Sequence, residues 1–250
     1  MTLEIHGLSR RFGGLKAVND VTTTIADKSI HSIIGPNGAG KTTLFNLITG
    51  ALAPDEGKVA FNGNDITGWT PERLAHAGIA RTFQRTSIFK ELPVIENVAL
   101  AVRSRRGLNR SMFCSMAQEK AIREESREIL ARVGLNGKEN IRAGSLAHGF
   151  QRALDIAIGL ALEPKIMLMD EPLAGMSRGD RETVATLITR LREELGVAIV
   201  VVEHDVGMVM RLSDRITVMQ HGKVIAEGPP SVIREDEAVK NAYLHGNFAA

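Results

Sequence analysis

Gly35-Pro36-Asn37-Gly38-Ala39-Gly40-Lys41-Thr42-Thr43 fits the pattern G-x-x-x-x-G-K-[ST], the loop that wraps nucleotide phosphates. Glycines let successive backbone N–H groups turn inward on one anion, and Lys41 can reach the β- and γ-phosphates. Thr42 offers a hydroxyl to Mg²⁺, and a helix starting there adds its positive end. The flanks agree with this reading. Ile30, Ile33 and Ile34 read as a buried strand running into the loop, and Leu44, Phe45, Leu47 and Ile48 form a helical apolar face that stops at Gly50. These residues imply a nucleoside triphosphate site.

The chain of 250 residues, 44% hydrophobic, is long enough for a full core. A net charge of +2 gives no general field toward nucleic acid, so no nucleic-acid partner is expected. Cys114 is the one cysteine, which excludes an internal disulfide and fits a reducing compartment. The seven histidines are scattered, none at zinc-ligand spacing. Met1 leads straight into a polar, strand-like segment, so no secretory signal is expected. The longest wholly apolar run, Val197–Val202, is too short to span a bilayer. Any tie to a membrane is therefore expected through a protein partner or the lipid surface.

Working outward, Leu3, Ile5 and Leu8 predict one strand and Val18, Val21 and Ile25 another. Lys58–Phe61 reads as a strand entering a turn at Asn62-Gly63. Thr70-Pro71 places an N-cap before a proline at the first helical position. Ile79–Phe83 predicts a further strand. From about residue 86 to 162 the chain reads as helices and loops, with a helix over Met116–Val133 ended by Gly134. Ile166–Met169 is apolar throughout and is expected to be central in a parallel sheet. A helix from about Arg181 to Leu195 follows, then strands at Ala198–Val202, Ile216–Met219 and Val224–Ala226, the last two around His221-Gly222. Strand, helix and strand in alternation argue for an α/β core with a parallel sheet and a helical insertion.

A phosphate loop alone implies binding, not hydrolysis. Ile166-Met167-Leu168-Met169-Asp170-Glu171 carries two carboxylates out at a strand's C-terminal end, where ligands sit in open α/β sheets. Asp170 is the candidate for Mg²⁺, and Glu171 for orienting and deprotonating the attacking water. His204, after the apolar strand ending at Val202, is a candidate polarising contact for the γ-phosphate; a structural histidine is the alternative. Gln84, after Thr82-Phe83, could touch both metal and water, or be an exposed loop glutamine.

With these four pieces in this order, the chain resembles the nucleotide-binding domain of ABC transporters over essentially its full length. Ser145-Leu146-Ala147-His148-Gly149-Phe150-Gln151-Arg152, before the apolar helix Ala153–Leu162, matches the family's signature stretch. The resemblance implies an α/β fold: a P-loop NTPase (RecA-like) core, 1–85 and 163–250, with an N-terminal antiparallel β portion and a helical subdomain, 86–162. It implies ATP and Mg²⁺, the metal served by Thr42, Gln84 and Asp170, with Glu171, His204 and Gln84 catalytic. It also implies that Leu146, Ala147, His148, Gly149, Phe150 and Gln151 meet ATP held by a second ATPase subunit, in a homo- or heterodimer. An aromatic near the start should stack on adenine; Phe12, in Arg10-Arg11-Phe12-Gly13-Gly14, fits, with a core phenylalanine as the alternative.

Within the family, Ile34 through Leu47, Asn64-Asp65-Ile66-Thr67-Gly68, Gly78 through Gln84, Leu92 through Val98 and Ala242-Tyr243-Leu244 resemble the LivG-type ATPases of branched-chain amino acid importers. That subgroup implies two membrane permease subunits, a periplasmic substrate-binding protein and a peripheral place on the cytoplasmic face of the inner membrane. The alternatives are a lipopolysaccharide-export-type ATPase, a soluble ABC ATPase without a permease, and a non-hydrolysing nucleotide-gated module.

Two positions depart from the family pattern. Ala147 stands where the signature usually has Ser, with His148 and Phe150 also unusual, and the loop Leu173-Ala174-Gly175-Met176-Ser177 ends in Ser rather than Asp. Losing one neutral hydrogen bond costs about 1 kcal/mol, enough to make two ATP sites unequal without forbidding a closed dimer. Arg103, Arg105, Arg106 and Arg110 form a basic cluster, either a solvated face or a contact for anionic lipid. Ile88, Phe89 and Leu92 read as packing under the insertion or as a permease contact. Ile122, Ile129, Leu130 and Val133 read as core.

Overall fold

The strand entering the phosphate-type loop, Ile30–Ile34, is buried at every position, as are Ile166–Asp170 and Ala198–Val202. Strands apolar on both faces belong in the middle of a parallel sheet covered on both sides, and that is where they lie. The structure is a computed structural model that describes residues 2–82, 88–108 and 115–243. In chain order its strands are β1 (Leu3–Phe12), β2 (Leu15–Ile25), β3 (Ile30–Ile34), β4 (Glu56–Phe61), β5 (Asn64–Asp65), β6 (Ile79–Thr82), β7 (Ile166–Asp170), β8 (Ala198–Val202), β9 (Arg215–Gln220) and β10 (Lys223–Gly228). The helices are α1 (Lys41–Ile48), α2 (Pro71–Ala77), α3 (Val94–Arg105), α4 (Met116–Arg132), α5 (His148–Leu160), α6 (Arg178–Leu195), α7 (Val206–Leu212), α8 (Pro230–Glu235) and α9 (Glu237–Tyr243).

Two sheets result. One is antiparallel with order β2-β1-β4-β5; the other has order β10-β9-β3-β8-β7-β6, parallel except for β10. The β9–β10 turn uses His221 and Gly222, both at positive φ (50° and 79°), the backbone that a two-residue hairpin needs. One apolar cluster joins β1, β2 and α1 to one face of the parallel strands, through Phe45, Leu168 and Val200. A second runs from α3, α4 and α5 through Met167, Ile199 and α6 on the other face, so the helical stretch shares its core with the sheet. Ile122, Ile129, Leu130 and Val133 are buried in that second cluster, as expected.

Several boundaries move from their expected places, each for a local reason. α6 begins at Arg178 rather than Arg181. Ser177 caps it, its Oγ accepting the Asp180 N–H at 3.3 Å and donating to Asp180 Oδ2 at 2.7 Å. The apolar helix after the signature stretch starts at His148, well before Ala153, and ends at Leu160. α4 carries a capping box in which Ser115 and Gln118 each satisfy the other's backbone N–H. The sequence reading named no helix at α3, which starts after Pro93.

The basic cluster resolves into ion pairs. Arg103 lies 2.7 Å from Glu119 and 3.4 Å from Glu96. Arg105 and Arg106 each lie 2.5 Å from Glu125, and Arg105 also meets Glu163 at 2.9 Å. The three guanidiniums are paired with carboxylates of the fold; Arg110 lies outside the described residues. Ile88 is buried, whereas Phe89 is exposed and held through its backbone by Asn97.

Candidate ATP site

The loop between β3 and α1 is wedged between the two sheets. A β-carbon on Gly40 (φ 98°) would stand 2.1 Å from Ala17 O on β2, so this position excludes any side chain. From the other side, Gly222 N–H donates to Ala39 O at 3.0 Å, and Asn19 N–H donates to Gly222 O at 2.9 Å. The loop's shape is therefore set by β2 and by the β9–β10 turn before any ligand is considered.

A cavity of about 490 Å³ opens over it. Asn37, Gly38, Ala39, Gly40, Lys41, Thr42 and Thr43 line its floor, and Glu171 and His204 one wall. Phe12, Leu15, Lys16, Ala17 and His221 form the remaining lining, and of these only Phe12 was singled out by sequence. Phe12 is 47% exposed, which excludes the core alternative, and the Arg10 guanidinium lies 5.4 Å from its ring centre. Gly35 and Pro36 sit behind the loop, their carbonyls accepting from Lys41 Nζ at 2.6 and 3.0 Å. Burial pushes the Lys41 ammonium below its ordinary pKa, and the carboxylates of Glu171 and Asp170 oppose that push. The cation and the two acids thus share one field.

Asp170 ends β7 almost fully buried. Burial, and then neighbouring Glu171, raise its pKa; Arg81, Arg152 and His204 act against the rise. Arg81 Nη2 is 4.0 Å from Asp170 Oδ2, while Asp170 Oδ1 is buried and has no hydrogen-bond partner among the described residues. A buried carboxylate oxygen without a partner beside a phosphate-type loop fits a hard cation, and the Thr42 hydroxyl, exposed near by, suits the same oxygen chemistry. Gln84, the third residue expected at the metal, lies outside the described residues. Glu171 has a left-handed backbone (φ 48°), and its Oε1 meets His204 Nε2 in a short hydrogen bond. His204 lies two residues beyond the end of β8, so β7 and β8, adjacent and parallel, deliver the pair side by side.

The signature stretch does not join this cavity. Leu146 is buried, while Ala147, His148 and Phe150 are exposed at the start of α5. Ala147 is the N-cap of α5 and provides no side-chain cap. Gly149 packs against Asp180 of α6, and Gln151 Nε2 donates to Leu146 O at 2.9 Å. Lys138 Nζ stands 4.6 Å above the Phe150 ring. At the far end of the chain, Tyr243 on α9 is buried facing the Gly35 backbone, with its phenol pKa raised by that burial.

Residues 18–174 match the ABC transporter family model. The chain belongs to the ABC transporter ATP-binding family. Residues 223–244 further match the model described as branched-chain amino acid ATP-binding cassette transporter. Among curated relatives of this ABC ATPase, the high-affinity branched-chain amino acid transport ATP-binding protein BraF of Pseudomonas aeruginosa is 40% identical over 97% of both chains. LivG of Escherichia coli, of the same description, is 38% identical over the same shares. Among solved structures, an ABC transporter ATP-binding cassette in its ADP conformation matches with a TM-score of 0.86. It is 31% identical, over 99% of this chain and 100% of that one. A dimeric cassette in a post-hydrolysis state, bound to ADP and phosphate, matches with a TM-score of 0.75 at 26% identity, over 91% and 98%.

Proposed function

We propose that this ABC ATPase powers uptake of branched-chain or related amino acids through two separate permease subunits. The observation that supports ATP hydrolysis most is the cavity shared by the Asn37–Thr43 part of the loop, Glu171 and His204. The loop amides and Lys41 hold the phosphates, and Phe12 stacks on the adenine. Thr42, Asp170 and Gln84 would hold Mg²⁺, which neutralises charge on the β- and γ-phosphoryl oxygens when bound. Glu171 takes the proton of the attacking water, and His204, hydrogen-bonded to it, orients that carboxylate and polarises the γ-phosphate. ATP and water give ADP and phosphate.

In this reading a second ATPase subunit, identical or related, brings its own signature residues to the cavity. Leu146 through Gln151 of this chain serve the partner's ATP in return, and the exposure of Ala147, His148 and Phe150 outside the chain's own cavity agrees with that. We take 86–162 as the helical subdomain and 1–85 with 163–250 as the ATPase core. No described helix is long and apolar enough to cross a membrane, so attachment to the cytoplasmic face would be through the permeases, with a periplasmic binding protein delivering substrate. The amino-acid reading draws on the names of BraF and LivG and on the match at 223–244, which favour import over lipopolysaccharide export. Glu171→Gln tests the chemistry: ATP binding should persist and phosphate release should cease. Near-normal hydrolysis in that variant would assign the base elsewhere. Co-purification with permeases and uptake of labelled leucine in their presence test the transport reading.

A further inference from the structure

Glu171 holds a backbone conformation that residues with a β-carbon adopt rarely, and it must be kept there by its surroundings. Its own N–H donates to Val202 O at 2.8 Å. The carbonyls on either side of it, Asp170 O and Pro172 O, accept from a single guanidinium. Arg152 Nη2 and Nε donate to them, each at 3.1 Å. Arg152 stands on α5, is 3% exposed, and is itself oriented by Asp155 Oδ2 at 3.1 Å. Glu203, 4% exposed just after β8, accepts the Leu173 N–H at 2.8 Å and the His204 N–H at 3.2 Å. A buried cation therefore takes the carbonyls and a buried acid the N–H groups of one short segment, 170–173, and of the residue facing it.

We propose that Arg152 and Glu203 are positioning residues for hydrolysis, clamping the backbone around Glu171 so that its carboxylate is aimed at the cavity beside His204. The clamp has a direction. Arg152 stands one residue beyond the Leu146–Gln151 stretch, on the helix that the stretch begins. A shift of α5 when that stretch engages the partner's nucleotide is transmitted by the planar fork to the chain's own Glu171. Two ATP sites are thereby linked through one side chain. A lysine does not reproduce the fork, because its ammonium is one point on a flexible stem, whereas the guanidinium holds Nε and Nη2 apart in a rigid plane.

This inference rests on Glu171 being the base, so the experiment carries Glu171→Gln beside Arg152→Lys and Glu203→Gln, each in the full chain assembled with its permeases. Three quantities are read: nucleotide Kd with a fluorescent ATP analogue, kcat and KM for phosphate release, and the thermal midpoint. Arg152→Lys and Glu203→Gln are expected to lower kcat at least tenfold, with Kd and KM within twofold of wild type in the folded protein. A purely structural role would lower the midpoint and leave kcat per folded molecule unchanged, which overturns the clamp. If Arg152→Lys fails to fold, Glu203→Gln alone decides. Loss of turnover in Glu171→Gln with full kcat in the other two rejects the clamp but keeps the base. Wild-type turnover in Glu171→Gln rejects both.

Discussion

His31 sits on β3, fully buried, on the strand that feeds the phosphate loop. Its Nε2 is 2.7 Å from Thr217 Oγ1, and its Nδ1 has no hydrogen-bond partner among the described residues. Burial lowers its pKa from 6.5 to about 4; the Glu227 carboxylate pulls upward and the Arg215 guanidinium downward. As pH falls, the unfolded chain takes up this proton first. The contribution of neutral His31 is thus full above 6.5 and drains as pH falls from 6.5 to 4. Linkage puts the total at about 3 kcal/mol, of which about 2 kcal/mol is lost between pH 7 and 5. Urea unfolding of the wild type and of His31→Gln, at half-unit steps from pH 7 to 5, isolates this one group from the other histidines. Their stability difference should move against the wild type by about 2 kcal/mol over that range. A difference constant to within about 0.5 kcal/mol, or an imidazole resonance of His31 titrating near 6.5, would refute the argument.

Three further outcomes follow from the site. Lys41→Met should weaken ATP binding roughly 10- to 100-fold, the worth of a charged hydrogen bond, as read by titration with a fluorescent nucleotide. Gly40→Ala forces a β-carbon to 2.1 Å from Ala17 O at φ 98°, so it should lose nucleotide binding and lower the melting temperature; retention of both would show that the wedge yields. Ala147→Ser supplies the cap α5 lacks and should add about 0.5–2 kcal/mol, a rise of roughly 1–8 °C in Tm. In the assembled complex the same change should raise turnover. Unchanged turnover and unchanged ATP affinity would dismiss the idea of unequal sites.

What the sequence disclosed, and what it withheld, divides along physical lines. β7 and β8 were legible because strands covered on both faces carry near-continuous apolar runs, and β3 because Ile30, Ile33 and Ile34 lead into the phosphate loop; residues at the C-terminal ends of such strands must fall together in a parallel sheet. Lys41, Asp170, Glu171 and His204 could be named for that reason. α3 was not legible: its sequence mixes Glu96, Asn97 and Arg103 with its apolar face, and a proline stands where a capping side chain would be. Arg152 and Glu203 were invisible in their roles, since nothing in a charged residue announces that it is buried against backbone carbonyls or N–H groups across the fold. His31 hid for the same reason, its partner Thr217 lying 186 positions away. The pairing of the basic cluster was not legible because its acidic partners, Glu119 and Glu125, sit on a different helix.

The insertion of the loop between β2 and the His221–Gly222 turn has a practical side. A tag, a label or new chain termini placed at residues 221–222 would alter the cavity lining only at His221, yet would also pull on Ala39 through the bond Gly222 makes to it. Such a change would masquerade as an active-site lesion. Anyone re-engineering this cassette is better served by cutting elsewhere, for instance at the exposed turn Asn136-Gly137, where a β-carbon added to Gly137 meets nothing within 4 Å.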